Sequence, residues 1–452
     1  MIHRSIYASP RARRAIHDIL GGSAASVLSI TFGLSYTLLI FAGPLSPYLS
    51  YGIAATFIGS TVFAVMIGLG SSLPFAIGGP DSSTVAVTSV LAASLVERLV
   101  AADPSAALLA PVLITLGLST IVTGIVLCGL GLTRMGRAIR YVPYPVVGGF
   151  LGATGLLIVL GAVRVITDHP LQIETLSRFT NIITISELGA ACMMALVLYL
   201  TWHRSRHPLG LPLILIGGVI ATHLAFWIIG ISPEQARATG WTFQPPPAST
   251  FMLPWNADEL ARYPWSAVPD LLGNLIAVIF VTAASTLFNT TGVEVAVHRE
   301  ANLERELNIT GLANILAGAL AGYAGCISVS RTVLNFSNGG RGRLSGLTVA
   351  MISLLMLAAA PELLGFMPKF VIGGLLIYLG ADQLHRWIVE SRKRLTRTEY
   401  ASLLAIIFII VQWGFVAGIR HRARQAGLSG IGVDQRYDAI QLGAQVIGKD
   451  AL

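Results

Sequence analysis

Charge is scarce in this chain: 12% of its 452 residues are charged and 54% are hydrophobic, where soluble domains carry roughly 25% charged residues. That excludes an ordinary soluble enzyme. Cysteine is scarce as well, and Cys128, Cys192 and Cys326 lie inside apolar stretches with no CxxC spacing. Neither a disulfide framework nor a zinc site is indicated. Nine histidines are present, but without an HExxH pair or a Ser-His-Asp grouping, so no metal, no cofactor and no enzyme activity are expected. The N-terminus has no small-residue cleavage site. Arg4, Arg11, Arg13 and Arg14 precede an apolar run from about Ile19 to Ala42 that is too long for a signal core, so this is a first span.

A mean hydropathy of +0.73 requires apolar stretches longer than core helices, and about 20 apolar residues cross a bilayer. The sequence therefore predicts an all-α polytopic protein with the lipid bilayer as its solvent. Forty-seven glycines and 21 prolines, dispersed along the chain, are tolerated in membrane helices where neighbours re-satisfy the backbone. Apolar runs read as helices near 18–42, 50–70, 82–100, 106–131, 144–165, 185–203, 210–230, 268–293, 307–322, 331–338, 344–360, 367–384 and 398–418.

The net charge of +8 reads as topology, with no nucleic-acid partner. If the N-terminus is cytoplasmic and the spans alternate, the clusters Arg134/Arg137/Arg140, Arg204/Arg206, Arg299/Arg305, Arg341/Arg343 and Arg386/Arg392/Lys393/Arg394/Arg397 all fall inside. The other face receives the single residues Arg98, Arg164, Arg178, Arg237, Arg262 and Lys369. A multi-pass protein of a cell membrane, in a bacterium the inner membrane, is expected. The run Glu300, Glu304, Arg305, Glu306 reads as a solvated cytoplasmic helix.

One stretch repeats itself. Tyr141-Val-Pro-Tyr-Pro-Val-Val-Gly-Gly149 and Phe366-Met-Pro-Lys-Phe-Val-Ile-Gly-Gly374 share an aromatic, a proline, an aliphatic pair and Gly-Gly in register. They open the fifth and twelfth spans, and an odd offset means entry from opposite sides, the mark of an inverted repeat. The division expected is a cytoplasmic segment 1–17, a first repeat 18–230, an outer Pro- and Trp-bearing connector 231–267, and a second repeat 268–419.

In such folds, short Gly/Pro-interrupted segments at matching places mark the binding site. Segments 71–90 and 322–341 are such a pair, each a short extended stretch followed by a Ser-rich helix start. Asp81-Ser82-Ser83 and Ser328-x-Ser330 suit helix N-termini, so both would aim free N–H groups and a positive dipole end at the midplane. Two such ends facing one another make an anion cradle.

These motifs resemble the SulP sulfate-permease superfamily, also called solute carrier family 26. The resemblance runs from about Asp18 to Ile419 and rests on Gly79-Pro80, IRYVPYPVVGGF at 139–150, RELNITGLANILAG at 305–318, SVSRTVLN at 328–335 and GGRGRLSG at 339–346. It implies a seven-plus-seven inverted repeat, a core domain holding the site, a gate domain, an elevator-type exchanger or symporter, often a homodimer, and usually a C-terminal STAS domain. Three features depart from the pattern. Thr31 and Phe32 stand where Pro-Gln is common, with Tyr36 at a usual aromatic position. Ala284 stands where the eighth span usually has an acid, while Asp81 and Glu294 supply acids elsewhere. After Ile419 the sequence is polar through 452, so the last span and the STAS domain are expected to be missing.

Arg331 follows Ser330, as in the family's Ser-Arg pair, and a midplane arginine must be paired or hydrated. It reads as the source of the substrate field and as a counterion to Asp81. Asp81 could simply cap its helix, yet a serine would do that without charge. A coupling role follows if the ionised carboxylate cancels Arg331 and the protonated one leaves the field to an anion. Phe32 and Tyr36, four residues apart, share a helix face and point at the site by family alignment, or pack in the core. The expected substrate-binding set is Phe32, Tyr36, Gly79, Ser82, Ser83, Asn289, Ser328, Ser330 and Arg331, with Asp81 and Glu294 as coupling residues. Asn289 and Glu294 are about 140° apart on a helix. The expected function is secondary active transport of a small anion of the sulfate, bicarbonate or carboxylate class, coupled to protons or sodium. A passive channel or uncoupled carrier, an amino-acid transporter using Asp81 for a positive group, and a nonfunctional truncated product are the other readings.

Overall fold

The computed structural model describes residues 10–134, 144–169, 171, 179, 181–205, 209–245, 251–393 and 395–413. The first three residues of the 141–149 motif, the basic residues Arg137, Arg140, Arg178, Arg206 and Arg394, the prolines Pro246 and Pro247, and the polar stretch 420–452 lie outside them. Each of the thirteen apolar runs contains a helix, with ends that differ by a few residues. The helices are α1 (Pro10–Ile40), α2 (Leu49–Gly70), α3 (Ser82–Ala102), α4 (Leu109–Leu132), α5 (Tyr144–Thr167), α6 (Ile182–Ser205) and α7 (Gly210–Ile229). Two short helices, α8 (Pro233–Ala238) and α9 (Ala257–Arg262), lie in the connector. The second half has α10 (Val268–Val297), α11 (Leu303–Ala319), α12 (Val329–Ser337), α13 (Leu344–Phe366), α14 (Lys369–Leu384) and α15 (Arg397–Trp413). Nine helices among the described residues are long and apolar enough to cross a membrane. The others fall short by length: α12 has nine residues, and α14 has 16 before a π-type turn over His385–Val389.

The two extended stretches are strands, β1 (Gly78–Pro80) and β2 (Gly325–Ile327), paired antiparallel with Gly79 opposite Cys326. Buried backbone must be paired inside a bilayer, and side chains complete what two three-residue strands leave open. Asn314 of α11 donates to the Gly325 carbonyl at 2.9 Å and accepts from its N–H at 3.2 Å. The Ile77 N–H donates to Thr332 at 3.0 Å, and Asn335 donates to the Phe75 carbonyl at 2.8 Å. The strands cross in the middle of the bundle, held by α11 and α12.

The helices form two groups. A core bundle consists of α1–α4 with α10–α13, and a flanking bundle of α5–α7 with α14 and α15. They meet chiefly where α3 and α1 lie against α5 and α14. When α1, α2, α3, α4, α5 and α6 are set against α10, α11, α12, α13, α14 and α15, the main packings exchange in pairs. The α4–α11 contact maps onto α13–α2, α5–α15 onto α14–α6, and α3–α10 onto α12–α1. The β1–β2 pair maps onto itself, and its strands run in opposite directions.

Small residues let these helices approach closely. At the α4–α11 crossing, a Cβ added to Gly124 would stand 2.5 Å from the Gly311 carbonyl oxygen, and one added to Gly318 would stand 2.6 Å from that of Gly117. Gly155 and Gly380 do the same for α5 and α14. One large apolar cluster runs through both bundles, including Phe57, Leu91, Leu116, Ile158, Val278 and Leu376.

One expectation fails here. Glu306 is not on a solvated face; it is fully buried. Its Oε1 accepts from the Ser71 hydroxyl at 2.9 Å and from the N–H and hydroxyl of Ser72, each at 2.7 Å. Charge pattern alone placed Glu306 in water, but the end of α2 turns over it and supplies donors that a carboxylate can use. Glu300 is exposed, as expected, but lies in the loop before α11 and not in a helix.

Candidate functional site

The two strand-to-helix elements bring the first turns of α3 and α12 together. Asp81 is the N-cap of α3, with Oδ2 accepting from the Ser83 N–H at 3.2 Å and its own N–H donating to Thr84 Oγ1 at 3.4 Å. Thr84 Oγ1 also donates to the Ala324 carbonyl beside β2, at 3.2 Å, which ties the start of α3 to the opposite element. The cap of α12 differs. Ser328 occupies the N-cap position but its side chain makes no capping bond, so the first turn of α12 lacks the internal acceptor that Asp81 gives α3.

Arg331, on that first turn, is 2% exposed. Its Nη2 donates to the Pro80 carbonyl at 2.6 Å, while its Nε is buried without a partner. The side chain lies across β1 because Gly79 is bare: a Cβ there would stand 2.3 Å from Arg331 Nη1. Asp81 and Arg331 form no ion pair within 4.0 Å, yet Arg331 is the strongest cationic influence on Asp81, with Arg386 of the π-type turn also acting on it. The Asp81 carboxylate and the Arg331 guanidinium thus share the site without forming an ion pair.

Several expected residues converge here. Asn289 of α10 donates from Nδ2 to Asp81 Oδ1 at 3.3 Å, to Cys326 Sγ at 3.5 Å and to the Ile327 carbonyl at 2.9 Å. Tyr36 is buried in α1 beside the start of α3. Phe32 packs one turn away, its ring centroid 6.0 Å from that of Tyr36. Thr31 is turned back on its own helix, donating to the Val27 carbonyl at 2.8 Å. Ser330 is half-buried on the first turn of α12. Ala284 is buried in α10. Glu294 does not join the group. It lies in the last turn of α10, where Oε1 accepts from the Ala301 N–H at 2.7 Å and holds the loop into α11.

Two residues were not foreseen. Gln383 of α14 donates to the Ser83 hydroxyl from the flanking bundle, and Thr84 links α3 to the stretch before β2. The signal for Gln383 was an uncharged amide inside an apolar span, where polar groups are costly unless partnered.

Residues 16–410 match the sulfate permease family. The chain belongs to this family. Among its relatives is the vacuolar basic amino acid transporter VSB1 of Saccharomyces cerevisiae, 23% identical over 87% of this chain. The bicarbonate transporter BicA of Synechocystis is 24% identical over 89% of it. This chain spans 39% of the length of the yeast protein and 67% of the cyanobacterial one. The fold is that of the transmembrane domain of a cyanobacterial BicA, with a TM-score of 0.67 at 22% identity over 90% of this chain and 98% of that one. SLC26A9 superposes with a TM-score of 0.66 at 16% identity, over 92% of this chain and 65% of that one. The protein is therefore a multi-pass membrane protein of a transporter family, built on the membrane-domain fold of BicA and SLC26A9.

Proposed function

We propose that this sulfate permease family member is a secondary active transporter of a small anion, moved by an elevator-type displacement of the core bundle against the flanking bundle as gate. The observation that carries the reading is the first turn of α12: an uncapped helix N-terminus beside a buried guanidinium with a partnerless Nε. Helix N-terminal N–H groups and a desolvated cation both favour a negative ligand. The bicarbonate transporter relative supports the substrate class.

Coupling would run through Asp81. Ionised, its carboxylate offsets the field of Arg331 and of both helix starts; protonated, it leaves that field to the anion. Proton and anion then favour each other's binding, with reciprocal affinity effects. Glu294, engaged with the Ala301 N–H, takes second place. The basic clusters support a cytoplasmic N-terminus, and the family resemblance supports a homodimer in a cell membrane.

A second reading has its own support. Asp81 places a carboxylate beside the site, and the yeast relative is named as a basic amino acid transporter. An amino acid would set its carboxylate against Arg331 and α12 and its ammonium against Asp81. Proteoliposomes loaded in turn with sulfate, bicarbonate, a dicarboxylate and arginine separate the readings. Counterflow of a labelled anion supports the first. Counterflow of arginine alone supports the second.

A further inference from the structure

A directed polar contact joins the flanking bundle to the candidate site. Gln383 Nε2 donates to Ser83 Oγ, and Ser83 is also the residue whose backbone N–H donates to Asp81 at 3.2 Å. Asp81 in turn receives Asn289, which donates to the Ile327 carbonyl at 2.9 Å. A polar chain therefore runs from α14 through α3 to α10 and β2, crossing the boundary between bundles at residues 383 and 83. The position of Gln383 is fixed from behind. A Cβ on Gly155 would stand 2.8 Å from the Gln383 Cβ and 2.9 Å from the Gly380 carbonyl oxygen, so the stem rests on bare α5 backbone and the amide reaches toward α3.

A serine hydroxyl has one proton to give and two lone pairs to receive with. Where an amide N–H occupies one lone pair, the hydroxyl proton is left to donate to another acceptor. Chains of this kind strengthen the outward donor. We propose that Gln383 is a specificity-determining positioning residue: from the gate side it fixes the Ser83 hydroxyl as a donor toward the solute and so biases the site toward anions. This deepens the anion reading above and rests on it. It also ties affinity to the state of the carrier, because Ser83 has this partner only while the core bundle lies against α14.

The test is counterflow of sulfate and of bicarbonate in proteoliposomes by the wild type, Q383L, S83A and the double variant, resolved into KM and maximal rate. Q383L removes the amide and leaves an apolar side chain one atom shorter. It is expected to raise KM about three- to tenfold, the range carried by one neutral hydrogen bond, with the maximal exchange rate retained. On the S83A background the substitution should have no further effect, since the interaction has already been removed. Q383A gives the same readout if the leucine variant fails to assemble. An unchanged KM in an anion-transporting protein, or an equal effect of Q383L with and without Ser83, overturns the assignment of Gln383 and leaves the anion reading standing. A wild-type protein that exchanges neither anion but does exchange arginine overturns both.

Discussion

Arg331 and Pro80 are joined across the two halves of the chain: the guanidinium Nη2 on α12 donates to the Pro80 carbonyl on β1 at 2.6 Å. Proline has no N–H to give a ladder, so β1 ends there, and the carbonyl it leaves is taken by the side chain that also supplies the site's positive charge. One residue thereby helps hold the strand crossing and carries the positive charge beside the cap of α3.

Replacing Arg331 with Ala should abolish anion binding while leaving an assembled protein. The unpartnered Pro80 carbonyl would cost about 1–3 kcal/mol, tolerable within a bundle of this size. Binding to purified protein, read alongside size-exclusion behaviour, checks this. Unchanged affinity in a well-assembled variant would place the anion elsewhere.

The α4–α11 crossing allows a comparison within one helix. Gly124→Ala puts a methyl 2.5 Å from the Gly311 carbonyl oxygen, whereas Gly129 has nothing within 4 Å of an added Cβ. The first substitution should lower thermal stability, by about 1–3 kcal/mol on the scale of overpacking. The second should leave it unchanged or raise it by up to roughly 1 kcal/mol through helix propensity. Melting of the two variants in detergent checks the difference. Equal melting temperatures would mean that the crossing is looser than its geometry.

Much of this architecture was legible in the sequence. Apolar runs located the helices because lipid forces every span to satisfy its own backbone, and the Gly-Pro and Ser-rich stretches located β1–α3 and β2–α12. Asp81, Arg331, Asn289 and Tyr36 come together because they sit at, or one helix away from, those starts. What the pattern could not show was long-range pairing. Glu306 and Glu300 look alike as members of a charged run, and only the approach of Ser71 and Ser72 from the end of α2 separates a buried carboxylate from a solvated one. Glu294 was placed near the site by its charge. Its bond to the Ala301 N–H depends on how α10 ends. Gln383 reaches Ser83 across 300 residues of sequence, and no local pattern encodes that contact.

Glu306 itself gives a stability test. Glu306→Ala strips acceptors from Ser71 and Ser72 and should destabilise the junction of α2 and α11, by about 1–3 kcal/mol for the donors left unmet. Glu306→Gln retains one acceptor oxygen of the same reach and should lose less. Hydrogen exchange over residues 70–73 checks both, with faster exchange in the alanine variant than in the glutamine one. Equal protection in the two would remove the carboxylate from any structural role there.

The most direct test of the account is uphill uptake by Asp81→Asn. Asparagine approximates the protonated carboxylate, so the site should keep its positive field and bind and exchange the anion. A proton gradient would then have no group at position 81 through which to act. In proteoliposomes with an imposed pH gradient, the wild type should accumulate the anion, whereas the variant should only equilibrate it, with exchange preserved. Accumulation by Asp81→Asn as steep as that of the wild type would contradict the account and reduce Asp81 to a helix cap.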